Sequence, residues 1–247
     1  GRLSIPFSKK TAEQLGRDLN PEEIKDLLFK EYSERHWGIP WEELPKSISG
    51  RVPNKRDNYD DRYFTDKYQG IPEQGYTKMF EAMLEGIKVN LGVDPDAWKK
   101  LKGDLMIWTG RISQYFDSCF GHLPYRSLRF EHTRTKRNPE EFSYELGAVI
   151  NECNNQPFNR TMDSAAYLDE RPEYTILTRD YPEEYVKGQN EPIYPKTFGE
   201  GPDKYKQYYE LSKSQKNVIF LGRLATYKYL DMHQAVGAAL RVINKIN

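Results

Sequence analysis

Two short apolar runs lie far apart in the chain, residues 104–109 (Asp-Leu-Met-Ile-Trp-Thr) and 217–221 (Asn-Val-Ile-Phe-Leu), and each closes on a glycine, Gly110 and Gly222. Runs this short and this apolar leave no solvent face, so both read as buried strands whose carboxyl ends open into loops. The second run is followed by a helical pattern from about 231 to 239, and strand, glycine turn and helix form half of a doubly wound unit. Between the two runs, residues 127–132, 148–151 and 174–178 are β-like and are separated by polar turns, which predicts an antiparallel sheet. A chain that leaves one layer, builds a sheet and returns is α+β, with mixed α/β character in the flanking layer.

The first stretch carries helix signals. Asn20 followed by Pro21-Glu22-Glu23 reads as an N-cap, a first-turn proline and acids favoured by the helix dipole. Ile24, Leu27, Leu28 and Glu31 then keep a helical period, so one face packs on something. Pro40, Pro45, Gly50 and Pro53 punctuate residues 38–61, which predicts irregular structure there. From Gly75 the spacing of Met79, Phe80, Met83 and Leu84 predicts a helix ended by Gly86, and residues 87–93 alternate as a strand.

Net charge is zero, with 37 Lys and Arg against 37 Asp and Glu. A nucleic-acid or acidic-membrane binder would carry a basic excess, so neither is an expected partner. No apolar run approaches the roughly 20 residues that span a bilayer, and the expected setting is cytoplasmic. Cys119 and Cys153 form no metal-ligand spacing with each other or with the four histidines, so no metal is expected. The sequon Asn159-Arg160-Thr161 reads as chance.

No phosphate-binding glycine loop, H-E-x-x-H or G-x-S-x-G is present. What stands out is arginine interleaved with tyrosine and tryptophan in loop-like segments, among them Tyr32 to Trp37, Arg51, and Tyr63-Phe64. A diphosphate calls for fixed cationic forks and neutral hydroxyl donors, and a pyrimidine base for a ring to lie against. Arginine and tyrosine also serve as ordinary rim residues. The segment from Gly222 to Met232 sits where open α/β sheets hold ligands, at a strand's carboxyl end before a helix N-terminus. Read otherwise, Arg223 is a solvated loop residue and Asp231 only a cap.

These stretches resemble the UDP-galactopyranose mutase family: Ile5-Pro6-Phe7, Glu43-Leu44-Pro45, RYFTDKYQGIPEQGYTKMFEAMLEG from Arg62, WTGRISQYFDSCFG from Trp108, YRSLRFE from Tyr125, EPIYP from Glu191 and GRLATYKYLDMHQAVGAAL from Gly222. They are spread over nearly the whole chain and keep the family's order. The family's opening Gly-rich FAD fingerprint is not among these residues, and the helical region ahead of Trp37 is shorter than the family's.

The resemblance implies an isomerase that interconverts UDP-galactopyranose and UDP-galactofuranose through a reduced-flavin N5–sugar adduct, supplying galactofuranose for cell-wall polysaccharide. The alternative is a non-catalytic UDP-sugar-binding module that needs a flavin domain from another chain. It implies reduced FAD as cofactor and UDP-galactose or UDP as partner. Homo-oligomerisation is a further expectation, because a strand edge lacking its neighbour associates.

The implied organisation is a short helical segment at 1–45, an antiparallel-sheet substrate domain at 46–72 and 111–215 that includes a mobile loop, and a remnant FAD-binding α/β layer at 73–110 and 216–247. Carried over by position, Arg51 and Arg160 are the diphosphate-gripping arginines, which would act in catalysis. Tyr63, Tyr194 and Tyr229 contact phosphate, Trp37 and Tyr32 face the uridine, and Asn151 lies near the sugar. Thr109, Gly110, Arg223, Asp231 and Met232 mark the flavin end. His36 stands where the family commonly has Gln, and Leu230 where an aromatic is frequent.

Overall fold

The computed structural model describes residues 7–8, 12–13, 16–18, 20–50, 54–55, 59, 66–101, 103–137, 148–153, 155–168 and 172–246. The backbone divides into two compact units, one of residues 1–63 with 106–247 and one of residues 64–105. In the first unit, β1 (Phe7–Ser8) pairs in parallel with β2 (Asn54–Lys55). Helix α1 starts at Pro21–Ile24, continues as a π-helix over Lys25–Lys30 and returns to α over Glu31–Trp37. Its start is closed reciprocally: the Glu23 N–H donates to Asn20 Oδ1 and the Asn20 N–H to Glu23 Oε2, both at 2.9 Å, the capping box the sequence spells. Its end is Gly38 at φ +70°, where the N–H donates to Glu34 O.

Residues 38–50 are more regular than their prolines suggest, and most of residues 51–61 lie outside the described residues. A 3-10 turn at Trp41–Glu43 and a short helix, α2 (Lys46–Ser49), follow directly on Pro40 and Pro45. Proline lacks only an N–H that a first turn leaves unused, so it starts these turns rather than breaking them.

The central sheet has five strands in the order β5-β6-β7-β4-β8, comprising β4 (Tyr125–Lys136), β5 (Val149–Asn151), β6 (Arg160–Asp163), β7 (Tyr174–Glu184) and β8 (Tyr194–Pro195). All of its pairings are antiparallel, and β4 and β7 run in register from Arg126 opposite Glu184 to Lys136 opposite Tyr174. Tyr125 to Leu128 at the start of β4 are buried, whereas most of its later positions are exposed. One end of the sheet therefore carries the core and the site.

The two apolar runs form β3 (Met106–Trp108) and β9 (Val218–Phe220), paired in parallel with Trp108 opposite Phe220. They are strands as predicted but not buried ones: β9 is half-buried and Ile107 is exposed. After β3 comes α4 (Ile112–Tyr115), and before β9 comes α5 (Gly201–Ser212). After β9 come α6 (Gly222–Ala225) and α7 (Met232–Ile246). The fold is thus mixed α+β.

In the second unit, α3 (Gly75–Met83) forms where the apolar spacing placed it. Residues 87–93 are not a strand: they make no ladder, and Ile87, Val89, Leu91 and Val93 are all exposed. Alternation satisfies only the side-chain half of a strand; the backbone half needs a partner, and none pairs with it among the described residues.

Candidate functional site

Trp37, Leu44, Ile48, Leu128 and Tyr194 form a buried cluster where the end of α1 meets β4 and β8, with Tyr229 and Phe198 packed against it. Each large apolar side chain buried here contributes roughly 1.5–3 kcal/mol. The rings meet edge to face: Trp37 with Tyr194 (6.1 Å between centroids), Phe198 (5.8 Å) and Tyr229 (5.8 Å), and Tyr194 with Tyr229 (5.4 Å). Such contacts add roughly 0.5–1.5 kcal/mol each and fix ring orientation.

Three arginines are committed to holding this wall. Arg126, buried at 5% exposure, donates from Nε to His36 O (2.8 Å), from Nη2 to Arg35 O (3.1 Å) and from Nη1 to Glu184 Oε1 (2.8 Å). It therefore closes the C-terminal carbonyls of α1, which have no intrahelical partner. Arg35 donates from Nε to Asn159 Oδ1 (2.7 Å) and from Nη2 to Glu152 O (2.6 Å). Arg223 donates to Leu230 O and Ile193 O, and its guanidinium lies 5.3 Å from the Tyr194 ring centre and 5.1 Å from that of Tyr229.

His36 is locked between these groups. Because Asn159 Oδ1 accepts from Arg35, its Nδ2 faces His36 Nδ1 at 3.0 Å and donates to it. The ring is then the neutral tautomer with its proton on Nε2, assigned from this network. Burial, reinforced by Arg160 and Arg126, drives its pKa from 6.5 down to about 3. Asn159 itself is fully buried, which leaves no access for a glycan at the sequon.

Arg160 differs from the other three. On β6 it lies opposite Asn151 of β5 and Asp180 of β7, and among the described residues its guanidinium hydrogen-bonds through Nε alone, to Asp180 Oδ2. Burial opposes its charge, but Tyr32, Asp180 and Tyr194 more than offset this and hold it protonated. Tyr32 lies in the same field: burial pushes its phenol far above the ordinary value, Arg160 pulls the other way, and Asp180, Tyr194 and Tyr229 add to the rise. Neither the Tyr32 nor the Tyr194 hydroxyl has a hydrogen-bond partner among the described residues. A cationic fork and two phenol hydroxyls therefore converge beside edge-to-face rings, an arrangement suited to an anion attached to a flat or sugar-like group.

A second group lies at the carboxyl ends of β3 and β9. Gly222, at φ +86°, passes close to Thr109, and a Cβ on Gly110 would come within 2.9 Å of the Trp108 ring. Asp231 precedes α7; its N–H donates to Gln234 Oε1 (2.9 Å) and its carbonyl accepts from the Ala235 N–H (3.0 Å). Met232 opens α7 and is exposed.

The structure thus brings Tyr32, Trp37, Asn151, Arg160, Tyr194, Tyr229 and Arg223 into one neighbourhood, and places Thr109 and Gly110 beside Gly222. Arg51 and Tyr63 lie outside the described residues. Sequence reasoning passed over Arg126 and Asp180, although Arg126 falls within the quoted YRSLRFE stretch, and read Asn159 only as part of a chance sequon. No group of three or more His, Cys, Asp or Glu among the described residues could hold a metal ion, and no helix among them is long and apolar enough to cross a membrane.

The sequence model of UDP-galactopyranose mutase matches residues 27–229, a span that contains every site residue named above except Asp231 and Met232. Among known proteins, the chain is 32% identical to a probable UDP-galactopyranose mutase of Klebsiella pneumoniae, over 99% of this chain and 63% of that one. It is 31% identical to a dTDP-fucopyranose mutase of Escherichia coli (89% and 59%) and 30% identical to a UDP-galactopyranose mutase of Mycoplasma genitalium (85% and 55%). The chain therefore spans between 55% and 63% of the length of these relatives. With the family match running unbroken from α1 through the aromatic wall to Tyr229, this chain belongs to the UDP-galactopyranose mutase family.

Proposed function

We propose that this chain carries the nucleotide-sugar site of an isomerase that interconverts UDP-galactopyranose and UDP-galactofuranose. The observation that carries the reading is the convergence of the Arg160 guanidinium with the Tyr32 and Tyr194 hydroxyls, which have no hydrogen-bond partner among the described residues, against the Trp37–Tyr229 wall. In this reading Arg160 and Arg51 grip the diphosphate. Charge builds on UDP as the bond to the sugar's anomeric carbon breaks, so a fixed guanidinium stabilises the departing group more than the bound substrate. Tyr63, Tyr194 and Tyr229 donate to phosphate oxygens, Tyr32 and Trp37 bound the uridine, and Asn151, across from Arg160, faces the sugar.

Thr109, Gly110, Arg223, Asp231 and Met232 would hold the ring end of FAD. The fit rests on the approach of Gly222 to Thr109 without an intervening side chain and on the N-terminus of the fifteen-residue α7, which favours electron-rich ring atoms. When bound in its reduced form, FAD supplies nucleophilic catalysis at the anomeric carbon.

The test is a calorimetric titration of the chain with UDP. Arg160→Ala should weaken binding by roughly 1–3 kcal/mol, the scale of a charge-assisted contact. No detectable binding at millimolar UDP, or an Arg160→Ala variant that binds as wild type does, would overturn the reading. The Escherichia coli relative favours a second substrate, a dTDP-sugar; a parallel titration with dTDP decides between the bases. An absorbance spectrum of the purified protein tests the flavin assignment separately.

A further inference from the structure

The arginines around the site divide by how many of their donors the protein itself uses. Arg126 is held at three nitrogens, Arg35 at Nε and Nη2, and Arg223 at Nε, Nη1 and Nη2. Among the described residues Arg160 is held at Nε only, and the group that holds it is Asp180. Asp180 is fully buried, faces Arg160 directly across the β6–β7 ladder and has its backbone fixed by the Asn159 N–H donating to its carbonyl at 2.8 Å. Its Oδ1 has no hydrogen-bond partner among the described residues.

A buried carboxylate without a counter-charge costs several kcal/mol. An arginine free to do so meets a carboxylate in a two-pronged contact that uses its terminal nitrogens. Here the carboxylate uses one oxygen, and the arginine gives its inner nitrogen. We propose that Asp180 is the positioning residue of the site: it grips Arg160 by Nε and thereby keeps both terminal nitrogens turned toward the diphosphate of the nucleotide sugar. This rests on the nucleotide-sugar reading above. Asp180 touches no substrate; it acts through Arg160, and the cross-strand register makes the distance between them a property of the sheet rather than of a loop.

A thermodynamic cycle with UDP, read by calorimetry on the whole chain, tests this. Asp180→Ala should raise the UDP Kd about tenfold, comparable to losing one charge-assisted contact. In an Arg160→Ala background the same change should do nothing further, because a residue that acts only through Arg160 has nothing left to position. Asp180→Asn keeps an acceptor for Nε and should restore binding to within about threefold of wild type. Circular dichroism establishes folding, and if Asp180→Ala does not fold, Asp180→Asn is read in both backgrounds with the same non-additivity expected. Additive losses, or an unchanged Kd in both Asp180 variants, overturn the positioning role while leaving the nucleotide reading intact. If wild type and Arg160→Ala bind UDP equally, or neither binds it, the nucleotide reading falls and this role with it.

Discussion

Replacing Arg126 by Met keeps an unbranched apolar stem and removes the guanidinium, so the loss can be worked from its three bonds. The bonds to His36 O and Arg35 O are charge-assisted and shielded by the 5% exposure of Arg126, and count for roughly 1.5 kcal/mol each. The ion pair with Glu184 counts for roughly 0.5 kcal/mol, because the Glu184 side chain is 54% exposed and water solvates it once released. The sum is about 3.5 kcal/mol, with no cavity term because Met fills the stem's volume. For a chain of this size that corresponds to a melting temperature lower by roughly 7–14 °C. Urea denaturation of wild type and Arg126→Met, followed by far-ultraviolet dichroism, measures it. Arg126→Lys should recover part of the loss, since one ammonium cannot reach all three acceptors. A destabilisation below about 1 kcal/mol would show that water closes the carbonyl end of α1 as well as Arg126 does, and the reasoning would be wrong.

Two further outcomes follow from buried groups near the site. The His36 pKa is depressed in the folded chain, so its contribution to stability is full above pH 6.5 and is lost as pH falls toward about 3; at pH 5 the loss is about 2 kcal/mol. His36→Gln keeps an acceptor for Asn159 Nδ2, so urea melts at pH 7 and pH 5 should differ by about 2 kcal/mol less in this variant than in wild type; equal pH dependence in both proteins would remove the histidine from the account. Burial raises the Cys153 thiol to about 11 and its Sγ lies 3.0 Å from Leu28 O, whereas Cys119 is exposed. A thiol-reactive dye at pH 7 should label one cysteine quickly in the native chain and two after denaturation, and rapid double labelling of native protein would contradict the burial argument.

What could be read from the sequence was what is local. Asn20 and Glu23 announce the start of α1 because both halves of the capping box lie within one turn. The strands around Met106 and Val218 were visible because their composition is concentrated in a few residues, yet their exposure was not, because burial is conferred by whatever packs on them. Residues 87–93 show the same gap from the other side: the alternation is present and the partner is not among the described residues. The π-helical stretch of α1 has no sequence mark that we can assign. Tyr32, Trp37, Arg160, Tyr194 and Tyr229 lie together, and Arg223, which the resemblance assigned to the flavin end, packs on Tyr194 and Tyr229, while Arg126 and Asp180 did not stand out, because what each does depends on a chain segment far away in sequence: Arg126 on the end of α1, Asp180 on the facing strand.

The division of labour among the arginines gives a criterion that the composition could not supply. Guanidinium groups next to tyrosines suggested an anion site at several places in the chain, but a guanidinium whose donors are already satisfied by carbonyls has little left to offer a phosphate. Arg126 and Arg223 are occupied in this way, and Arg35 is held at two nitrogens by Asn159 and Glu152. The same bonds do something for Arg160 indirectly. Arg35 orients Asn159, Asn159 neutralises the tautomeric choice at His36, and the buried neutral ring adds no positive charge beside Arg160. A protonated His36 would repel that guanidinium across a medium of low dielectric, where charges interact far more strongly than in water. Keeping the imidazole neutral is therefore part of keeping Arg160 in place, and the hydrogen bonds that look purely structural set the charge state on which the Arg160 fork depends.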